Sequence, residues 1–324
     1  MRLLRVAAVM LRYRVASLLL PFFLLAPAVH AALGAFTWTY AAGALALLAC
    51  YVVATCVNDV FDVEVDRVNH PAAKDRPLVT GAATRSQLVM VAACAAVAAL
   101  ALGVAIGPLG VGVVAVSLLV NVVYSVPPLR LCARPVVAAP VLAFAYVALP
   151  YGLGLAAAGL GPGLLDLRVV ATLMLLFTGR MLLKDFRDRR GDAAFGKRTF
   201  LLTYGKAATL LAVLGCVVAG DAFLASVLPQ SFLLMVVVQS YFVAIALELR
   251  RLWRASAVDR ELAAIARGAR MGNAVILTWL GYTLLRASGA GPAELAALVI
   301  ALGAMFWLAY LLPAPAAAPA TTPA

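Results

Sequence analysis

The chain has 324 residues, of which 65% are hydrophobic and only 12% are charged, and its formal net charge is +12. Soluble domains contain about 25% charged residues, so this composition excludes an ordinary soluble domain and indicates a membrane protein. The positive charge does not indicate a nucleic acid partner, because the basic residues lie between apolar runs rather than in one patch.

Uncharged apolar runs of about twenty residues, the length that crosses a bilayer core as a helix, recur along the sequence. They predict ten membrane spans, in chain order at 15–36, 38–57, 87–106, 109–126, 134–158, 168–183, 207–227, 229–247, 272–286 and 292–312. The runs at 168–183 and 272–286 are short. Because the alternating pattern of a β-barrel is absent, the predicted fold class is all-α, a polytopic integral membrane helical bundle.

The distribution of basic residues predicts how the spans are oriented. With a cytoplasmic N-terminus, all but two of the 26 lysines and arginines fall in inner segments, the exceptions being Arg168 and Arg286. This is the positive-inside pattern, and it predicts a cell-membrane protein whose N-terminus and polar loops are cytoplasmic. The basic segment 248–270 is interpreted as a solvated loop; the alternative is a helix that covers an active-site mouth.

Two polar islands each contain three aspartates with the spacing D-x-x-D-x-x-x-D. These are Asp59, Asp62 and Asp66 in the first island and Asp185, Asp188 and Asp192 in the second. Each spacing places three carboxylates on one face of a helix, where they repel, so we expect divalent cations between the two faces. Mg²⁺ prefers oxygen ligands and is typically held by one or two carboxylates plus substrate phosphates. The repeat therefore predicts a magnesium site completed by a phosphorylated substrate.

The repeated islands also predict the domain organisation. The two halves, about 15–158 and 168–312, would pack as a pseudo-repeat with the site at their interface. Together they would form a single membrane domain over 1–312. The Pro- and Ala-rich tail, 313–324, is predicted to be disordered.

Phosphate chemistry beside an apolar bundle indicates a substrate with a diphosphate head and a hydrocarbon tail. When the carbon–oxygen bond to the diphosphate breaks, Mg²⁺ and basic side chains would stabilise the negative charge on the leaving group. The allylic cation that remains needs a dry, aromatic wall until an acceptor attacks it.

Three motifs, in order, resemble those of the UbiA-type intramembrane prenyltransferases. They are N-D-x-x-D-x-x-x-D from Asn58 with "RPLVTG" after it, "YSVPPLRL" from Tyr124, and D-x-x-D-x-x-x-D from Asp185 with "GKRTF" after it. The resemblance covers about residues 10–290. Two departures are the additional residues 72–75 and Cys132, which stands where the family commonly has lysine.

The resemblance implies nine helices around a central cavity, with 292–312 as a possible tenth span. It implies Mg²⁺-dependent transfer of a prenyl group from a prenyl diphosphate to a hydrophobic or aromatic acceptor in the lipid bilayer. The implied metal ligands are Asn58, Asp62, Asp66, Asp185, Asp188 and Asp192, and Asp59 joins the five aspartates as catalytic. The implied diphosphate-binding residues are Arg76, Arg130, Lys184 and Arg198.

Several single residues have two interpretations. Tyr124 lines the pocket or anchors its span at the interface, and Asn121 contacts substrate or, the favoured interpretation, forms an interhelical hydrogen bond. Tyr146 is interpreted as a packing residue, and His70 as a solvated turn residue rather than a metal ligand. Asp221 needs a partner that the sequence does not identify.

Other functions compete with prenyl transfer. A terpene cyclase of the same family would quench the cation within its own chain. A transporter of a phosphorylated anion would place its polar residues at mid-membrane, whereas these islands lie at the ends of spans. A CDP-alcohol phosphotransferase would require a D-G-x-x-A-R element, which is not found in the sequence. The sequence defines neither the acceptor nor the length of the prenyl chain.

Overall fold

The computed structural model describes residues 2–32, 37–71, 73–229 and 231–312, and most of these residues are helical. The tail predicted to be disordered, 313–324, lies outside the described residues. In chain order the helices are α1 (Arg2–Met10), α2 (Tyr13–Ala16), α3 (Leu20–Val29), α4 (Trp38–Asn69), α5 (Arg85–Ile106), α6 (Pro108–Ser125), α7 (Ala138–Ala143), α8 (Leu149–Ala157), α9 (Leu164–Ala194), α10 (Phe200–Val227), α11 (Phe232–Arg254), α12 (Val258–Ala287) and α13 (Pro292–Leu311).

Within the described residues, each of the ten predicted spans overlaps helical structure, which confirms the all-α membrane bundle. Among the described residues, seven helices are long and apolar enough to cross a membrane. One is α13, and another is 138–157, in which the π-helical segment Phe144–Ala148 joins α7 to α8. A bent pair, 3–10 and 13–29, gives an eighth span if it is counted as one. The helices α9 and α12, which contain the two short predicted runs, are long but too polar to be counted with these. The predicted pseudo-repeat stays a prediction.

A helix that the span prediction did not include precedes the first predicted span, 15–36. The two helical segments, 3–10 and 13–29, are bent by 46°, and Arg12 lies between them with a left-handed φ of 42°. A non-glycine residue in that region does not continue a right-handed helix, so α1 ends there and the chain changes direction.

Close helix contacts set the position of the central helices. A Cβ on Gly154 of α8 would lie 2.1 Å from the carbonyl oxygen of Phe23 in α3, so only glycine permits this approach. Small residues at such contacts are how helices pack closely in a membrane, where burial of apolar groups gives no advantage over lipid. The largest core cluster contains Phe22, Tyr151, Leu173, Tyr241 and Trp279.

Polar side chains join helices at several depths. Asn121 of α6 donates a hydrogen bond to the carbonyl oxygen of Cys50 in α4 at 3.0 Å, which confirms the predicted interhelical bond. Gln239 of α11 donates to Asp221 at 2.7 Å and is the partner that the sequence could not identify. Asp166 accepts hydrogen bonds from Tyr151 at 2.7 Å and from the backbone of Gly163, which joins the ends of α8 and α9.

The interpretation of 248–270 as a solvated loop is wrong. Glu248 is within α11, and α12 begins at Val258 and continues unbroken to Ala287. Leu262, Ile265 and Ala269 of α12 line the central cavity. The apolar face of this basic helix therefore faces the inside of the bundle, which is why the segment is ordered as a helix rather than solvated.

Candidate functional site

A cavity of about 770 Å³ lies among α3, α4, α6, α7, α9, α10, α11 and α12. Most of its wall is apolar, with Phe22, Leu142, Leu173, Phe242 and Ile276 among the lining residues. One region of the wall is polar and includes Arg12, Asn58, His70, Arg76, Lys184 and Arg187. An apolar chamber with charged residues in one region suits a ligand with a long hydrocarbon part and an ionic head.

The first acidic set lies buried in the last turns of α4, and arginines compensate its charge. Arg12 Nη2 lies 2.6 Å from both carboxylate oxygens of Asp59. Arg76 Nη1 lies 2.5 Å from Asp59 Oδ1 and 2.6 Å from Asp66 Oδ2. Burying these carboxylates without a cation would be costly, so the two arginines allow the acidic face to fold inward.

Asp62, on the same face, has three polar neighbours from three different segments. Asn58 Nδ2 donates to Asp62 Oδ2 at 3.0 Å, and Arg130 Nη2 donates to Oδ1 at 2.8 Å. Lys197 Nζ lies 3.4 Å from Oδ2. Arg130 has a left-handed φ of 37°, a strained conformation that the surrounding structure must hold and that is typical of functional sites.

In the second acidic set, Asp188 has three basic side chains as neighbours. Lys184 Nζ lies at 3.7 Å, Arg187 Nε donates at 3.0 Å, and His70 Nε2 lies at 3.4 Å. Burial raises the pKa of this carboxyl, but the hydrogen bond from His70 and the charges of Lys184 and Arg187 outweigh burial and hold it well below its usual range. The interpretation of His70 as a solvated turn residue is wrong, because its ring reaches across to α9.

The carboxylates of Asp185 and Asp192 are less well compensated by neighbouring positive charge than that of Asp188. Together with Asp188 they line a second, small cavity of about 30 Å³ that Tyr124 also borders. Burial raises the pKa of Asp185 to about 6, and Lys184 only partly offsets this. Burial likewise raises the pKa of Asp192, with Lys197 Nζ 3.5 Å away as the main opposing charge. Carboxyls of this kind gain from any additional cation that enters the site.

The two acidic sets face each other, as the repeat predicts. Lys197 bridges them, since it contacts Asp62 of α4 and Asp192 of α9. The backbone of Gly191 donates a hydrogen bond to Asn69 Oδ1 at 2.7 Å. A Cβ on Gly191 would lie 2.7 Å from atoms of Asn69 and Val65, so glycine is required for the ends of α4 and α9 to come this close.

The structure does not bring every predicted residue to the site. Arg198 is exposed and forms no hydrogen bond or ion pair with any described residue, because it precedes Thr199, which caps α10, while Lys197 enters the site instead. Arg12, which the sequence suggested only as part of the positive-inside pattern, is a site residue. Its position depends on the bend between α1 and α2, for which the amino-acid pattern contains no signal.

An aromatic surface lies in the cavity wall. Tyr146 stacks on Phe177 with ring centroids 5.6 Å apart, and Tyr51 meets Tyr146 edge-on at 6.2 Å. All three line the cavity, as do Tyr124 and Asn121. Tyr146 therefore packs against Phe177, in agreement with its interpretation as a packing residue, and it also presents its ring to the cavity. Electron-rich rings in this position can stabilise a carbocation.

The residues present are a suitable donor set for Mg²⁺. No group of three or more His, Cys, Asp or Glu side chains within the described ranges lies close enough to hold a metal ion by itself. Mg²⁺ needs only one or two carboxylates, however, when substrate phosphates and water supply the rest. Asp66 Oδ2 is buried without a hydrogen bond, despite its charge contact with Arg76, and is a hard oxygen of the type that Mg²⁺ prefers.

These features define an integral membrane protein with a charged site at one region of an apolar cavity. The profile of the UbiA prenyltransferase family matches residues 18–273. The chain belongs to the UbiA prenyltransferase family.

Curated relatives are similar over part of their length. The chain is 32% identical over 184 residues to a digeranylgeranylglyceryl phosphate synthase of Methanoregula boonei, a match that covers 56% of this chain and 63% of that protein. It is 35% identical over 190 residues to a homogentisate phytyltransferase of Synechocystis sp., covering 54% and 60% respectively. The chain thus spans less than two thirds of the length of these relatives.

Solved structures share the fold over nearly the whole chain. A digeranylgeranylglyceryl phosphate synthase structure matches with a TM-score of 0.67 and 15% identity, covering 88% of this chain and 99% of that one. A UbiA homolog from Archaeoglobus fulgidus bound to DMAPP and Mg²⁺ matches with a TM-score of 0.58 and 19% identity, covering 95% and 96%. The bundle described above therefore has the UbiA fold.

Proposed function

We propose that the chain is a Mg²⁺-dependent prenyltransferase, which transfers a prenyl group from a prenyl diphosphate to an aromatic or lipid-like acceptor within the membrane. The observation that carries this proposal is the meeting of the two aspartate sets at the polar region of a large apolar cavity. The polar region suits the diphosphate, and the cavity suits the hydrocarbon chain. Membership of the family and the relatives' activities support it.

The diphosphate would bind among basic side chains that already surround the acids. Arg76, Arg130 and Lys184 supply fixed positive charge, and Lys197 adds a fourth cation between the two acidic sets. Guanidinium groups bind phosphate oxygens in a bidentate manner, which orients the donor as well as holding it. Because these cations are present before the reaction, they stabilise the leaving diphosphate without reorganisation.

Magnesium would be held by the aspartates of both sets together with Asn58, whose amide nitrogen donates to Asp62. When bound, Mg²⁺ supplies Lewis-acid stabilisation of the leaving diphosphate. The side-chain cations now beside these carboxylates would then turn toward the phosphate oxygens. Lys197 and Arg130, each at an Asp62 oxygen, are placed for such an exchange.

The transfer itself breaks one bond and forms one. The carbon–oxygen bond of the donor breaks, and its electron pair stays on the diphosphate. The allylic cation lies against the rings of Tyr51, Tyr146 and Phe177, where water is excluded by the apolar wall. The acceptor's nucleophilic atom then forms the new bond to the allylic carbon, and the acceptor loses one proton to the released diphosphate.

The membrane orientation is part of the same proposal. The polar region of the cavity, the loops that carry Arg76 and Arg130, and the N-terminus would face the cytoplasm of a cell membrane. The excess of basic residues on these segments supports this orientation. Labelling of single cysteines introduced at exposed positions such as Arg198 and Arg168 in intact cells distinguishes the two faces.

The direct test uses purified protein in detergent with Mg²⁺, prenyl diphosphates of graded length and a lipid extract of the host. Release of diphosphate and a prenylated product identified by mass spectrometry would support the proposal. A cyclised hydrocarbon formed without acceptor would instead assign the cyclase reaction. Uptake of a phosphorylated anion into vesicles, with no chemical change, would overturn the enzyme assignment.

A further inference from the structure

One cation in the cavity wall has no acidic partner. Arg180 lies on α9 one turn before Lys184, and both line the cavity. Its guanidinium donates a hydrogen bond to the side-chain oxygen of Asn273 in α12, and its Cζ lies 5.7 Å from the centroid of the Phe177 ring. Among the described residues, no carboxylate lies within ion-pair distance of Arg180.

This arrangement differs from that of the other basic residues around the acids. Arg12, Arg76, Arg130 and Lys197 each contact at least one aspartate. A charge in an apolar, membrane-embedded cavity is costly when it is not compensated, and such residues are usually functional. The fork of the guanidinium matches a carboxylate or a phosphate, which would supply the missing charge.

The position of Arg180 separates it from the diphosphate region. Residues four apart on a helix are displaced by about 6 Å along its axis, and Arg180 lies on the side of Lys184 away from Asp188. Its ring neighbour Phe177 begins the aromatic surface that continues through Tyr146 to Tyr51. An anion held by Arg180 would therefore lie beside the proposed binding surface for the allylic cation.

We propose that Arg180 and Asn273 form the subsite for an anionic group of the acceptor, a carboxylate or a phosphate. Held there, the acceptor presents its nucleophilic atom to the allylic carbon at the aromatic surface. The opposite charge also selects against neutral acceptors of similar shape. This inference rests on the proposed prenyltransferase function, and it specifies the acceptor class that the function leaves open.

The test measures binding by calorimetry to the purified, full-length protein in detergent with Mg²⁺. Each anionic probe is paired with an uncharged counterpart: 4-hydroxybenzoate with its methyl ester, and an alkylglycerol phosphate with the alkylglycerol. Geranyl diphosphate (GPP) is the donor. For the wild type we expect one anionic probe to bind at least about tenfold more tightly than its uncharged counterpart. Which anionic probe shows the preference distinguishes a carboxylate acceptor from a phosphate acceptor.

Two variants eliminate the unpaired positive charge of Arg180, one by removing it and the other by pairing it with a carboxylate. Arg180→Gln should abolish the preference for the anionic probe and leave the affinity for GPP unchanged. Asn273→Asp keeps the contact between α9 and α12 but places a carboxylate beside Arg180, so it should also abolish the preference, even if Arg180→Gln does not fold. The matched control is Arg168→Gln, which removes an exposed arginine from the same helix, outside the cavity.

Three results would overturn the inference. They are a wild type with no preference for either anionic probe, a preference that survives Asn273→Asp, and a loss of GPP affinity in Arg180→Gln as large as the loss of anion affinity. The last result would assign Arg180 to the donor. Failure of the prenyltransferase proposal is detected separately, as absence of diphosphate release from every prenyl diphosphate, because probe binding does not depend on turnover.

Discussion

Lys197 Nζ lies 3.4 Å from Asp62 Oδ2, although the two residues are 135 positions apart in the chain. Lys197 also contacts Asp192, so a single ammonium group lies between the two aspartate sets. Burial opposes its charge, but the two carboxylates more than compensate and raise the pKa of Lys197 above its usual range. The facing acids can therefore coexist before any metal or substrate binds, because the chain supplies its own counter-charge.

The position of Lys197 between the two aspartate sets predicts that substitution of Lys197 lowers turnover much more than substitution of its neighbour Arg198. Lys197→Ala should reduce the turnover number for diphosphate release by about 10²–10³, the range for loss of one preorganised electrostatic contact. Arg198→Ala should cause little change, since Arg198 is exposed and outside the site. Steady-state release of diphosphate from GPP with Mg²⁺ measures both. Equal losses in the two variants would show that Lys197 has no special position.

The sequence was sufficient for the features that depend on local pattern. The apolar runs located the helices, and the spacing of three and four within each aspartate set placed the carboxylates on one face. The acids could be paired with each other because the same spacing occurs twice and each set follows a predicted span. These inferences need only helix periodicity and the length of a bilayer-spanning segment.

Contacts that depend on how distant segments meet could not be predicted. Arg12 reaches Asp59 only because the chain bends after α1, and His70 reaches Asp188 only because Gly191 lets α4 and α9 approach closely. Lys197 and Arg198 are both basic, so residue type does not show which of them enters the site. The start of α10 at Phe200, capped by Thr199, decides this.

The aspartates of both sets should be required for metal-dependent chemistry. Asp62→Ala or Asp188→Ala should abolish Mg²⁺-dependent release of diphosphate from a prenyl diphosphate. The reason is that each change removes both a proposed metal ligand and the carboxylate that Arg130 or His70 contacts. Chelation of Mg²⁺ should stop the wild-type reaction reversibly. Undiminished turnover in both variants would reject the assigned site.

Asp221→Ala is the matched control for loss of a carboxylate. Asp221 lies on α10 and is hydrogen-bonded to Gln239, away from the cavity. This variant can lose stability through the unpaired Gln239, by about 1–3 kcal/mol, but its turnover per folded molecule should be normal. The melting temperature and the turnover number, measured on the same sample, separate the two effects.

Filling the cavity should shorten the prenyl chain that the protein accepts. Gly272 lines the cavity, and a Cβ placed there meets no atom within 4 Å. Gly272→Phe should therefore fold and occupy space that a long chain needs. We expect kcat/KM for geranylgeranyl diphosphate to fall by about tenfold or more, with a much smaller effect on DMAPP, since overpacking costs about 1–3 kcal/mol.

Gly215→Phe provides the control for this substitution. Gly215 lies on α10 and is exposed outside the cavity, and a Cβ added to it would likewise meet no atom within 4 Å. The same added ring there should not change the ratio of kcat/KM values between the long and short donors. A similar change of ratio in both variants would mean that the effect arises from general perturbation of the bundle rather than from cavity volume.

The aromatic ring of Tyr146 should contribute more to kcat than its hydroxyl group does. Tyr146 stacks on Phe177 and lines the cavity, so it can stabilise the allylic cation through its π face. Tyr146→Phe keeps the ring and should retain most activity, whereas Tyr146→Leu should lower kcat by about 2- to 30-fold, the equivalent of one cation–π contact. The KM for the donor should change little, because the cation exists only after the carbon–oxygen bond begins to break. If Tyr146→Leu instead raises KM and leaves kcat unchanged, the ring contributes only to packing around the prenyl chain.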